Sequence, residues 1–149
     1  MSKMAGGDCI VQFDNASNAL QDVSSSIETI AMPLTVNGGQ FHVLNDRWGK
    51  AMEGGIMGTV SITYYNDNSP TSFAGYVREW ALHASSKGGA RSLRVQTPDG
   101  SAGSIQYDCE VKLGGEAQIV NAAAGSGDPQ KLSLTLTIDG AVTDSVIGS

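Results

Sequence analysis

Charge is scarce in this chain. Asp, Glu, Lys and Arg make up only 16% of its 149 residues, against about 25% in an ordinary globular domain. Nine basic residues face 15 acidic ones, for a formal net charge of −6. The basic residues are scattered, and only Arg91 and Arg94 fall close together on one expected strand. Tight nucleic-acid binding rests on clustered Lys and Arg contacts to phosphate, so this stock excludes it. Cysteine is limited to Cys9 and Cys109, far apart and outside any CxxC pair, which excludes a disulfide framework or a cysteine metal knuckle. Two histidines, His42 and His83, have no Cys, Asp or Glu at ligand spacing. No run approaches the roughly 20 apolar residues of a membrane helix. The opening MSKMAGGDCIVQFD has no apolar core long enough for a secretion signal. The expectation is a soluble protein made in a reducing cytoplasm, folded as one domain over 1–149.

What the chain does have is period-two alternation. Ile105, Tyr107, Cys109, Val111 and Leu113 share one side of a run whose other side carries Gln106, Asp108, Glu110 and Lys112. Leu132, Leu134, Leu136 and Ile138 alternate with Ser133, Thr135, Thr137 and Asp139. Ile56, Val60, Ile62 and Tyr64 alternate with Thr59, Ser61 and Thr63, and Ile30, Met32, Leu34 and Val36 repeat the pattern around Pro33, which favours an edge or a bulge. Leu93 and Val95 form a shorter run, and Cys9 to Phe13 a first strand. Such segments suit an antiparallel sheet with one packed and one polar face.

One segment breaks the period. Ser69-Pro70 reads as an N-cap with proline at the first helical position, followed by Phe73, Tyr76, Val77, Trp80, Ala81 and Ala84 at helical spacing and stopped by Gly88-Gly89. A helix over about 71–86 is expected to pack on the sheet. Pro98-Asp99-Gly100 signals a turn, Ile138 to Val142 reads as a tight hairpin through Asp139-Gly140, and 122–131 as a loop. The stretch 37–55 has no clear period yet contains Phe41, Val43, Leu44, Trp48 and Met52. A long connection with that many large apolar side chains folds back on its own domain or docks on a neighbour.

Nothing assembles into a catalytic constellation. The oxygen-rich stretch from Asp14 to Asp22 lacks the central glycine and closing glutamate of a calcium loop. The glycine pairs lack the GxxxxGK[ST] order of a phosphate loop, and no GxSxG elbow occurs. Asp108 and Glu110 lie on one strand face, where a solvated pair is the ordinary reading and a glycosidase pair the unusual one. No enzyme activity, cofactor or metal is expected.

The order of the segments carries a resemblance. VSSSIETIAMPLTVN precedes FHVLNDRWGKAMEGGIMGTVSITYYND; the helix SFAGYVREWALHA, the strand RSLRVQTPDGS, the strand SIQYDCEVKLGGEAQIV and a closing KLSLTLTIDGAVTDS follow. This order resembles that of siphophage tail tube proteins over nearly the whole chain, through succession and composition and without a diagnostic motif. The resemblance implies a mainly β fold, an antiparallel β-sandwich or barrel-like subunit with one flanking α-helix. It implies hexameric rings stacked into a tube, whose joined inner sheets surround a channel for genome ejection. Implied partners are further copies of the chain and the tape measure, tail-tip and tail-terminator proteins, with DNA passing without specific binding and no membrane. The implied location is the virion, after assembly in the host bacterial cytoplasm.

Two surfaces are expected to serve that role. Thr59, Ser61, Thr63, Thr135, Thr137, Asp108, Glu110 and Asp139 are short or acidic side chains suited to lining a channel that hydrates DNA without holding it. An ordinary solvated sheet face is the alternative for each. Phe41, Val43, Leu44, Trp48 and Met52, in an assembly loop over 37–55, are the expected subunit contacts, and the N-terminal arm up to Cys9 is either a second docking element or disordered. The related inner tube of a contractile tail or of type VI secretion fits the same reading. A β-sandwich ligand-binding module is the alternative from another class; clustered exposed aromatics would favour it, and aromatics total 6%.

Overall fold

The alternating segments pair into one sheet. The structure is a computed structural model that describes residues 6–15, 17–41, 44, 50–83, 89–125 and 127–148. Its strands are β1 (Ile10–Asp14), β2 (Leu20–Asp22), β3 (Ile27–Ala31), β4 (Leu34–Phe41), β5 (Lys50–Tyr65), β6 (Arg91–Thr97), β7 (Ile105–Ala117) and β8 (Lys131–Val146), with one helix, α1 (Phe73–Arg78). The strand order is β2-β1-β6-β7-β8-β5-β3, with β4 also paired to β5, and every pairing is antiparallel. The sheet curls into a half-barrel with its apolar side inward. A short turn at Ser24–Ser26 brings its two ends together. There Val11 N donates to Ser24 Oγ at 2.8 Å and Val23 N to Val11 O at 2.9 Å.

Register explains the core. Val60, Ile62 and Tyr64 oppose Leu136, Leu134 and Leu132, while Leu93 opposes Cys109 and Phe13 opposes Leu93. These side chains are buried, and α1 with the turn after it closes over them through Phe73, Val77 and Trp80. Phe73 stands edge-on to both Phe13 and Tyr64, with ring centroids 5.3 and 4.9 Å apart. Edge-to-face pairs of this kind add about 0.5–1.5 kcal/mol beyond area burial.

The helix differs from expectation at its start. Ser72, not Ser69, is the N-cap: its Oγ accepts from Gly75 N at 3.1 Å and donates to Ser69 O at 2.7 Å. Ser69 to Ser72 forms a turn ahead of the helix. Beyond Arg78 the coil widens to a π-helical turn, Glu79–His83, and 84–88 lie outside the described residues. Trp80 Nε1 donates to Gly89 O at 3.1 Å. Arg91 lies over the Trp80 ring, 5.5 Å from its centroid, and its Nη2 is paired with Glu79 Oε2. The helix is thereby tied to the first residue of β6.

Two further expectations are corrected. The stretch 37–55 is not a loop throughout: β4 runs to Phe41 and β5 starts at Lys50, so most of it forms the arms of a long hairpin. Glycine pairs and Asn37 hide that hairpin from a propensity reading, whereas ladder hydrogen bonds do not depend on side chains. The Asp139-Gly140 hairpin is also absent, because β8 continues through it to Val146. Asp108 pairs with Thr143 and Glu110 with Asp139, so two steps along β7 match four along β8. The surplus is a bulge, and Gly140, at φ 93°, supplies the left-handed residue it needs.

Candidate channel and assembly surfaces

Strand registers place all eight candidate channel residues on one face of the sheet. Thr59 pairs with Thr137, which pairs with Lys112; Ser61 pairs with Thr135, and Thr63 with Ser133. Asp139 pairs with Glu110, Glu110 with Ser92, and Asp108 with Arg94. Directly opposed residues in an antiparallel pair point to the same side. The eight therefore lie on the face opposite the buried one, together with Gln12, Gln96 and Gln106.

Side-chain contacts, most of them cross-strand, tie this face into a polar lattice. Arg94 Nε donates to Asp108 Oδ1 at 2.7 Å, and Gln106 Nε2 donates to Asp108 Oδ2 at 2.9 Å. Gln96 Nε2 donates to Gln106 Oε1 at 2.8 Å. Lys112 Nζ lies 3.4 Å from Asp139 Oδ2, Lys131 Nζ 3.0 Å from Glu28 Oε2, and Ser92 Oγ donates to Glu110. The hydrogen bond from Lys131 holds the Glu28 carboxyl below its ordinary range, and Glu28 in turn raises the Lys131 ammonium. Ion pairs as exposed as these contribute little to stability. The cross-strand pairs among them are not legible in the sequence, because they depend on register.

Of the expected contact residues, Phe41, Leu44 and Met52 fall at the far end of the hairpin. Phe41 ends β4 and pairs with Lys50, and Met52 pairs with Gly39. Leu44 is 96% exposed. Val43 and Trp48 lie outside the described residues. Nearer the body, the structure exposes apolar side chains that alternation alone assigned to a packed face. Leu34, Val36 and Ile56, and Met57 beside them, are each more than half exposed. Leu34 and Val36 oppose Gly58 and Ile56, so the apolar side of β5 runs outward past the layer that covers its inner half.

At the foot of this stripe the half-barrel opens into an apolar groove of about 530 Å³. Cys9, Ile30, Met32, Leu34, Val95 and Tyr107 line it, with the Asp144 carboxylate at its margin. Of the N-terminal arm, Gly6–Asp8 forms a single 3-10 turn leading to Cys9, and 1–5 lie outside the described residues. Cys109 is buried, and burial, then the Glu110 and Asp108 carboxylates, push its thiol up to about 11. Burial pushes the Tyr64 hydroxyl up to about 12, and it donates to Gln118 O at 3.1 Å. Among the described residues no group of three or more His, Cys, Asp or Glu is placed to hold a metal ion, and no helix is long and apolar enough to cross a membrane.

The fold defined by this half-barrel, hairpin and capping helix recurs in solved tube assemblies. The chain superposes on a subunit of the SPP1 tail tube with a TM-score of 0.71 at 10% identity, covering 99% of this chain and 81% of that one. A chain of the native gene transfer agent virion gives 0.67 at 11% identity, over 97% of this chain and all of that one. A chain of the sheath–tube complex of an extracellular contractile injection system, in its extended state, gives 0.71 at 8% identity, over 97% and 93%. No protein-family model and no curated protein sequence matches the chain. The shared property is the fold: the expected mainly β, barrel-like tail-tube architecture with one flanking helix is the one present.

Proposed function

We propose that this chain is a tail tube subunit, a structural virion protein that assembles with copies of itself into stacked hexameric rings around a DNA-conducting channel. The observation that carries the reading is likeness to tube-forming chains over 97–99% of its length. Two surfaces support it. One sheet face gathers short polar side chains with cross-strand ion pairs, as a hydrated channel wall requires. The hairpin extends an apolar stripe beyond the body of the domain, which suits contact with another subunit. A head-to-tail contact of this kind closes into a ring when its rotation allows. Its role is assembly, with no catalysis; tape measure, tail-tip and tail-terminator proteins are its further partners, and genome ejection is the step the channel serves.

The tube of a contractile tail or type VI secretion system is the second reading, favoured by the equal TM-score to the contractile injection system chain. Negative-stain electron microscopy of concentrated protein tests the assembly role. Hollow rings or tubes are expected; globular monomers that persist even with a tail-tip initiator overturn it. Trp48→Ala is expected to leave soluble subunits that no longer polymerise, and normal tubes from that variant remove the 37–55 contact from the proposal.

A further inference from the structure

Among the described residues, the polar sheet face carries three cations, Arg94, Lys112 and Lys131, and each is paired with a carboxylate from another strand: Asp108, Asp139 and Glu28. Lys131 belongs to this face because it opposes Tyr65, two residues on from Thr63. Glu110 on the same face is engaged differently, by the Ser92 hydroxyl. Half-exposed ion pairs are nearly neutral for stability. Their larger effect is on the field the face presents: a paired guanidinium or ammonium offers little to an approaching phosphate, whereas a bare one replaces a condensed counterion and holds the strand.

We propose that Asp108, Asp139 and Glu28 are charge masks, which keep the three cations of this face from gripping a polyanion that moves past it. The inference rests on the reading of this face as a channel wall and specifies what keeps that wall non-adhesive. The geometry is most complete at Asp108. One carboxylate oxygen takes the Arg94 Nε hydrogen, and the other takes the amide of Gln106, itself bonded to Gln96. The carboxylate is thus fixed beside the guanidinium from two sides. Because the mask is local, it differs from mere acidity: removing a paired carboxylate uncovers a cation, and removing an unpaired one does not.

The test uses assembled tubes and a short fluorescent DNA duplex, read by co-sedimentation. Wild-type tubes are expected to leave the duplex in the supernatant. Asp108→Asn/Asp139→Asn tubes are expected to retain about ten-fold more duplex at about 20 mM salt and to release it by about 300 mM. Asp108→Asn alone gives a smaller retention with the same direction of salt dependence, so the outcome does not hang on one variant assembling. Glu110→Gln/Glu116→Gln, with Glu116 an exposed carboxylate near the end of β7, changes net charge equally and is expected to behave as wild type. Absent retention by the Asp108 and Asp139 variants overturns the mask, and so does equal retention by both double variants, which assigns the effect to net charge. The channel reading has its own readout. Thr135→Cys in tubes should react with a bulky maleimide far more slowly than in free subunits; equal rates place this face outside the channel and overturn both proposals, whatever the duplex does.

Discussion

Phe73 meets Phe13 edge-on, with ring centroids 5.3 Å apart and planes at 85°. This contact joins the first residue of α1 to β1 near one end of the sheet, while Tyr64, at 4.9 Å on Phe73, joins the same ring to β5. Replacing Phe73 by Ala leaves a cavity among buried aromatics and is expected to cost about 3–5 kcal/mol. Phe73→Leu, which keeps most of the volume, should cost less. Denaturant midpoints measured on free subunits decide; a loss under about 1 kcal/mol for the Ala variant would mean that the helix is held elsewhere.

Gly75 sets two effects against each other. In a helix, Ala is favoured over Gly by about 1 kcal/mol. A Cβ at position 75, however, would run into the Ser69 carbonyl and lie 2.9 Å from Pro70 backbone atoms. Backbone cannot swing aside as a side chain can, so the clash should win, and Gly75→Ala is expected to lower stability by about 1–3 kcal/mol. A stabilised variant, measured by thermal melting, would show that the turn ahead of α1 yields easily.

The two cysteines should differ in reactivity. Cys109 is buried, with its thiol raised to about 11, whereas Cys9 is half-buried in the groove wall. At pH 8 the Cys109 thiolate is about a thousandth of the population, and the thiolate is the reacting form. Iodoacetamide followed by mass spectrometry should mark Cys9 first, with Cys109 modified only after unfolding or far above neutral pH. Equal modification in the native protein would contradict this.

The Glu28–Lys131 pair gives a pH dependence of known sign. The Glu28 carboxyl is held below its ordinary value of 4.5, chiefly by the hydrogen bond from Lys131. A carboxyl with a lowered folded-state value contributes stability above its unfolded value and loses it as pH falls through the folded one. The contribution is therefore present above 4.5 and disappears in acid below it. Following the Glu28 side chain by NMR should give a midpoint below 4.5 that moves back towards it in Lys131→Met.

The strands most readable in the sequence were those with one buried face and no interruption. Leu132 to Ile138 and Ile105 to Leu113 alternate cleanly because Leu132, Leu134, Leu136, Cys109 and Val111 enter the core, with Leu113 and Ile138 packed against it. The same parity assigned Thr59, Thr135 and Asp108 to a polar face, yet it could not bring them together, since register is set between strands and not along them. The outer hairpin was missed for a different reason. Leu34, Val36 and Ile56 alternate as packed residues do, yet each stays more than half exposed, and the glycines beyond carry no strand signal. Asp139-Gly140 was misread because a dipeptide suited to a tight turn is equally suited to a bulge; the length of β7 decides in favour of the bulge.

β5 is a single strand serving two regions. Residues from Lys50 to Gly58 are paired by β4, and those from Thr59 to Tyr65 by β8, with β3 on the other side. No hinge separates them. A pull on the hairpin along the strand therefore arrives at the buried Val60, Ile62 and Tyr64 as a shearing load. The ladders to β3 and β8 bear that load in parallel, so their hydrogen bonds must yield together instead of unzipping one by one. Tension on the arm is thereby delivered to the most deeply packed part of the subunit.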